Sequence, residues 1–174
     1  PHIWEERLSS LGDSEKSRLQ LIAGHVRYGQ HKYVKEKATY ISMMRDPVDR
    51  IISQYYYIIQ GKNHSIHDWV VENTEDIEEY VVKMSRGKLW HAVQNRQARR
   101  LAGLQPSREE DVDLMVQKAK ENIKKSFAVI GTLERFDETL LLMKKAIGWD
   151  QHIMYKKRNV TKEKKKSLKE SKKR

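Results

Sequence analysis

The sequence has 174 residues, of which 38% are hydrophobic and 34% are charged, a composition typical of a globular chain with one sizeable core. It contains no cysteine, which excludes disulfides, thiol catalysis and cysteine-ligated zinc, and no apolar run long enough to span a membrane. The formal net charge of +11 favours an anionic partner such as a nucleotide, a polyanionic glycan or a nucleic acid.

Over half of that charge lies at the end of the chain. Residues 162–174 carry eight Lys or Arg against two Glu, which gives +6 of the +11. A lysine-rich run of this kind cannot bury enough apolar surface to offset chain entropy. We therefore expect one domain over residues 1–161 and a basic, disordered tail over residues 162–174.

Three short apolar and β-branched runs predict strands over residues 19–23, 38–44 and 127–132. Helical patterns separate the runs, an alternation that predicts an α/β fold with a parallel sheet flanked by helices. Ligands of such sheets collect at the carboxyl ends of the strands. The residues just after the first two runs, Gly24-His25 and Arg45-Asp46-Pro47, are therefore candidate site residues.

Capping residues and apolar periodicity predict the helices. Asp46 with Pro47 opens the helix that runs to Gln60, and Gly148 ends a last amphipathic helix in which Leu140, Leu141, Met143 and Ile147 are expected core contacts. The other predicted helices are a polar one within 4–18, a short one from Ser65, one from Thr74 to about Met84, one over 88–104, and one from a Ser107/Glu110 capping box to about Lys125.

The stretch from Tyr40 to Tyr57 combines a strand, Arg-Asp-Pro, and a serine eight residues after the arginine. A strand end delivers Arg45 and the following helix carries Ser53, so a bidentate guanidinium and a neutral hydroxyl donor can converge on one phosphate. On physical grounds alone, an ion pair between Arg45 and Asp46 with Ser53 on the helix surface explains the pattern equally well.

This stretch, with its tyrosine run, resembles the 3′-phosphate-binding segment of the PAPS-dependent carbohydrate sulfotransferases, in particular the heparan and uronyl sulfotransferases and their bacterial relatives. PAPS is 3′-phosphoadenosine 5′-phosphosulfate. The resemblance implies a P-loop-kinase-like fold and implies that Arg45 and Ser53 hold the 3′-phosphate. It also implies in-line transfer of a sulfuryl group to a hydroxyl of a glycosaminoglycan-like polysaccharide, in a scheme that requires no metal.

The segment from Ala23 to Gly29 resembles the family's Gly-His strand end, where the histidine is the general base. The resemblance assigns that role to His25, and an imidazole suits proton transfer near neutral pH. Without the resemblance, a histidine that satisfies a buried polar group is the simpler interpretation. His31 is the nearest rival.

Three further segments resemble parts of the family. The helix containing Asn95, Arg96, Gln97 and Arg99 resembles the family's Asn-x-Gln-x-Arg helix, and its polar face is expected to bind sulfate or carboxylate groups of the acceptor; a solvated face with ordinary ion pairs is the alternative. Residues 127–144 resemble a scaffolding strand and helix. Residues 155–161 resemble the loop that closes over the nucleotide, which makes Arg158 and Thr161 cofactor candidates.

One departure from the family concerns its Lys-containing phosphate loop, which binds the 5′-phosphosulfate: no segment before Gly24 matches it. We therefore expect a fold incomplete at its N-terminus, with that loop upstream or lost. A non-catalytic glycan-binding relative is the main alternative, and a basic nucleic-acid-binding module is a weaker one, since no nucleic-acid signature is present. The compartment, bacterial cytoplasm or Golgi lumen, and the oligomeric state stay open.

Overall fold

The computed structural model describes residues 3–34, 37–109 and 111–156, which divide between two compact units. Of the described residues, those within 3–44 and 95–149 form the first unit, and those within 45–94 and 150–156 form the second. In chain order the elements are α1 (Ile3–Ser10), α2 (Asp13–Lys16), β1 (Tyr40–Met44), α3 (Pro47–Gln60), α4 (His67–Asn73), α5 (Ile77–Arg86), α6 (Arg96–Ala102), α7 (Val112–Ser126), β2 (Phe127–Thr132) and α8 (Phe136–Ile147). Short 3-10 turns cover Gln30–Tyr33, Trp90–Ala92 and Leu133–Arg135.

The sheet of the first unit is a parallel pair. β1 pairs with β2 in a register that runs from Ile41 opposite Val129 to Met44 opposite Thr132, with an irregularity between Tyr40 and Ile41. Parallel pairing requires a long crossover between the strands, and here helices supply it. The predicted α/β fold is confirmed, and so are two of the three predicted strands.

The predicted strand over residues 19–23 is wrong. The segment is irregular, and Leu21 in its centre is 70% exposed. Strand composition becomes a strand only where a neighbour pairs with the backbone, and the sheet of the described residues contains only β1 and β2. His25 therefore lies in a bend that follows an extended segment, not at a strand end.

The core of the first unit forms where α6 and α7 pack together beside the sheet. Its buried members are Leu101, Ala102, Met115 and Ala119, and Met44, Ile130 and Phe127 pack against them. On α8, Thr139 is buried against the end of β2, where its hydroxyl accepts a hydrogen bond from the Thr132 amide at 3.2 Å and lies 2.8 Å from the Arg135 carbonyl.

The second unit is helical and has its own core. Its buried members come from α3, α4, α5 and the turn after them: Tyr55, Ile58, Val70, Tyr80, Met84 and Val93. The predicted start of α3 is confirmed: Pro47 is the first helical residue, and the Asp46 carboxylate accepts hydrogen bonds from the amides of Val48 and Asp49 at 2.9 and 3.1 Å. Within the described ranges, no helix is long and apolar enough to cross a membrane.

Several helix boundaries differ from the predictions. The predicted helix over 88–104 is interrupted, because Asn95 adopts the left-handed conformation (φ 46°) and α6 begins only at Arg96. Asp76 and Asp111 cap α5 and α7, whereas Thr74 lies at the end of α4, and Glu110 lies outside the described residues. In both helices the cap is an aspartate nearer the helix, whose carboxylate accepts a hydrogen bond from an amide of the first turn.

The predicted core face of α8 is partly wrong. Met143 is buried, but Leu141 is 61% exposed and Ile147 is also exposed. In the described structure α8 covers only one edge region of β2, so its second apolar stripe has no covering element there. Apolar periodicity predicts a helix face but not the number of elements that pack against it.

We predict that Gly131→Ala destabilises the protein by about 1–3 kcal/mol, because the added methyl would overlap the Thr139 side chain and force a shift of α8. Denaturant unfolding, followed by circular dichroism, measures the free energy of unfolding of this variant. Gly12→Ala is the control: Gly12 has φ −69° and a methyl there meets its nearest atom at 3.6 Å, so its effect should be no more than about 1 kcal/mol and stabilising. Equal stability of the two variants would contradict the close approach of Gly131 to the Thr139 side chain.

Candidate functional site

The segment that carries His25 is irregular, and contacts of Tyr28 hold it in place. The Tyr28 amide donates to the Arg100 carbonyl at 2.9 Å, and the Tyr28 ring packs on Tyr40 and Phe127, the first residues of β1 and β2. Its hydroxyl lies 2.9 Å from the Ser126 hydroxyl. The segment therefore lies along α6 although it belongs to no strand.

His31, the rival base, is a packing residue. Its Nδ1 lies 2.8 Å from the Tyr40 hydroxyl, which also accepts hydrogen bonds from the amides of Gly29 and His31 at 3.2 and 3.1 Å. The half-buried imidazole packs against the rings of Tyr28 and Tyr40. An imidazole held in this way has one nitrogen committed to a structural hydrogen bond.

His25 lies in a cationic environment. The residue is exposed overall, yet partial desolvation of its ring, followed by the positive charges of Arg100 and then Arg96, lowers the pKa of His25. Each of these effects disfavours the imidazolium form. The lowered pKa keeps His25 neutral near pH 7, which is the state that a proton acceptor requires.

The four predicted acceptor residues differ in environment. Arg96 and Gln97 are half-buried in the first turn of α6, and Asn95, which is exposed, precedes the helix. Arg99 is only 3% exposed, so it lies inside the first unit and not on a solvent-facing polar surface.

Arg100 lies four residues after Arg96 and so on the same face of α6. In the structure the charges of both side chains lie near enough to His25 to lower its pKa. The i, i+4 spacing in the sequence indicates that the two arginines lie together, but not that they face a histidine.

The predicted phosphate clamp belongs to the second unit. Arg45 directly follows β1 and is half-buried, and Ser53 is half-buried in the second turn of α3. The amides at the start of α3, a common anion site, are already bonded to the Asp46 carboxylate. A phosphate at this place would therefore depend on the side chains of Arg45 and Ser53.

Arg50, the second arginine of this stretch, has a structural role. Its guanidinium donates to Gln54 Oε1 at 2.9 Å and to the carbonyl of Ala92 at 3.0 Å, which ties α3 to the turn over Trp90–Ala92. The sequence alone does not show that Arg50 is held by oxygen atoms of its own unit.

The remaining cofactor candidates, Arg158 and Thr161, lie outside the described residues, as does the basic tail over residues 162–174.

Across the part of the chain that the structure describes, no three or more His, Asp or Glu side chains group closely enough to hold a metal ion. His25 and Arg96 meet within the first unit, and Arg45 and Ser53 belong to the second.

Comparison with known proteins agrees with the family that the motifs indicate. The sequence model of the Sulfotransferase family matches residues 8–174. The proteins named uronyl 2-sulfotransferase from Homo sapiens and Mus musculus are each 25% identical to the chain over 138 residues, which covers 72% of this chain and 33% of each relative. The chain thus spans about a third of the length of these curated relatives. No solved structure gives a match.

We predict that Arg100→Gln raises the pKa of His25, because it removes a positive charge that disfavours the imidazolium. An NMR titration of the His25 ring protons measures the change, and Arg96→Gln should shift the pKa in the same direction. Arg18→Gln is the charge-matched control, since Arg18 is exposed and does not contribute to the shift. An unchanged His25 titration in Arg100→Gln and Arg96→Gln would contradict the described environment.

Proposed function

The chain belongs to the Sulfotransferase family, and from this premise we propose that it transfers a sulfuryl group from PAPS to a hydroxyl of a carbohydrate, with His25 as general base. The observation that carries the proposal is the environment of His25, an exposed imidazole kept neutral beside Arg100 and Arg96. A neutral imidazole that solvent and substrate can reach is suited to accept a hydroxyl proton.

The acceptor that we propose is an anionic polysaccharide. Arg96 and Gln97 supply a guanidinium and an amide at the start of α6, beside His25. Guanidinium groups bind carboxylate and sulfate groups through paired hydrogen bonds. The relatives from human and mouse are named for a uronyl acceptor, which carries a carboxylate, and this agrees with the arginine pair.

The cofactor that we propose is PAPS, and its 3′-phosphate would be held by Arg45 and Ser53. Both side chains are half-buried, so each retains contact with solvent while neighbouring protein lowers the local dielectric. Because the Asp46 carboxylate accepts hydrogen bonds from the amides of Val48 and Asp49, the phosphate contacts that we propose come from the guanidinium and the hydroxyl. They are hydrogen-bond donors, as phosphate oxygens require.

In the proposed reaction His25 takes the proton of the acceptor hydroxyl, and Arg96 orients an anionic group of the acceptor beside it. When bound, PAPS supplies the sulfuryl group: the acceptor oxygen forms a bond to sulfur as the bond from sulfur to the bridging phosphate oxygen breaks. The proton remains on His25 until solvent removes it. Positioning of the two substrates accounts for much of the catalysis in such a scheme.

We predict that Arg45→Ala weakens binding of PAP, the desulfated product of PAPS, by roughly 10- to 150-fold, which corresponds to about 1.5–3 kcal/mol for a charge-assisted hydrogen bond. Isothermal calorimetry measures the affinity. Ser53→Ala should cost less, about 0.5–1.5 kcal/mol, because the lost donor is neutral. Arg18→Ala, which removes an exposed charge of the other unit, should leave PAP binding unchanged. Full PAP affinity in Arg45→Ala would refute the phosphate clamp.

We also predict that His25→Ala lowers turnover by roughly 10²–10⁴ while PAP affinity and melting temperature stay close to wild type, because only a positioned proton acceptor is lost. His31→Ala is the matched variant. It removes the hydrogen bond to the Tyr40 hydroxyl and should mainly lower the melting temperature. A selective turnover defect in His31→Ala with normal turnover in His25→Ala would make His31, and not His25, the general base.

Binding of PAP and glycan without turnover in the wild type would identify a non-catalytic relative.

A further inference from the structure

α1 lies against the segment that contains His25. Trp4 is near its start, and the ring atom Cζ2 of its indole lies 3.8 Å from the position that a Cβ at Gly24 would occupy. Gly24 has φ +131° and directly precedes His25. The indole edge therefore lies at van der Waals distance from the place of a side chain at residue 24, next to the proposed base.

Two anchors fix α1 in this position. Leu8, one turn after Trp4 and on the same face of the helix, is 2% exposed. The Glu5 carboxylate accepts from the Arg27 guanidinium at 3.5 Å, and Arg27, two residues after His25, also contacts Gln105. These contacts of two residues that follow Trp4 hold α1, and with it the indole, next to Gly24.

Trp4 itself is only half-buried, unlike Leu8. The guanidinium carbon of Arg7 lies 5.7 Å from the centroid of the Trp4 ring, a cation–π contact that restrains the ring orientation. A tryptophan placed for packing alone would bury most of its large apolar surface in the core. Trp4 instead keeps part of its surface open to solvent beside the proposed base.

A sugar ring has the complementary chemistry. The C–H groups of a pyranose form an apolar face, and its hydroxyls project from the rim. An aromatic side chain with a few polar groups around it is a common lining of ligand sites. Here the polar groups are His25, whose neighbours are Arg96 and Arg100, and the aromatic surface is Trp4.

We propose that Trp4 is a wall of the acceptor site, against which the apolar face of a pyranose ring packs while a hydroxyl of the acceptor meets His25. Arg7 restrains the indole, and Gly24 allows the positive φ of the backbone that precedes His25. Trp4 is thus a substrate-binding residue that local sequence patterns did not indicate. This inference rests on the proposed function.

The test uses Trp4→Ala, Trp4→Phe and the control Trp149→Ala, since Trp149 is an exposed tryptophan of the same unit. The acceptor probe is a hexasaccharide of alternating glucuronic acid and N-acetylglucosamine. We expect Trp4→Ala to raise KM for this acceptor roughly 5- to 30-fold, the effect of losing one substantial contact, with little change in kcat, PAP affinity or melting temperature. Trp4→Phe should recover most of the loss, and Trp149→Ala should behave like the wild type.

A direct readout accompanies the kinetics. In wild-type protein with ¹⁵N-labelled tryptophan, titration with the hexasaccharide should shift the Trp4 indole N–H resonance, which Trp4→Phe identifies by its disappearance, and should leave that of Trp149 in place. If the wild type sulfates the hexasaccharide but Trp4→Ala has a normal KM or the Trp4 resonance does not move, the inference is overturned and the proposed function stands. If Trp4→Ala loses melting temperature and PAP affinity together, Trp4 is a packing residue. If the wild type binds PAP but neither binds nor sulfates the hexasaccharide, the proposed acceptor class fails, and the inference with it.

Discussion

Tyr28 is the residue on which the arrangement of the first unit depends. Its amide is bonded to α6 through the Arg100 carbonyl, its ring covers the first residues of both strands, and its hydroxyl meets Ser126 at the end of α7. An irregular segment has no ladder of hydrogen bonds to fix it, so side-chain contacts must do so. Because Tyr28 is three residues from His25, the same contacts determine which face of α6 the imidazole meets.

The environment of His25 near Arg96 and Arg100 has opposing effects on its protonation state and on its strength as a base. Partial desolvation and the positive charges of Arg100 and Arg96 keep His25 unprotonated and therefore ready to accept a proton, but they also make the imidazole a weaker base. An anionic group that pairs with Arg96 or Arg100 would reduce that positive charge while it occupies the site. In the proposed reaction the basicity of His25 would thus be greatest when an anionic acceptor is bound, and the same arginines would serve both binding and proton transfer.

The sequence correctly predicted the structural features that depend on interactions between residues close together in the chain. Asp46 and Pro47 start α3 as predicted, because the cap and the fixed φ act within one turn of the helix. The run over residues 19–23 has the composition of a strand, but a strand needs a partner backbone, which composition does not supply. Asn95 interrupts a predicted helix because a left-handed residue satisfies a tertiary constraint that outweighs helical propensity.

The site was less predictable than the fold, because its members come from separate parts of the chain. Resemblance to a family identified His25 and Arg96 independently, yet only folding brings them together, about 70 residues apart in sequence. Trp4 stands in a polar segment with no motif around it, and its relevance comes from its position beside Gly24. Arg99 shows the reverse case, since the same motif that contains Arg96 places Arg99 in the interior. A motif specifies which side chains are present, whereas burial decides which of them can reach a ligand, and that depends on the packing of α6 against α7.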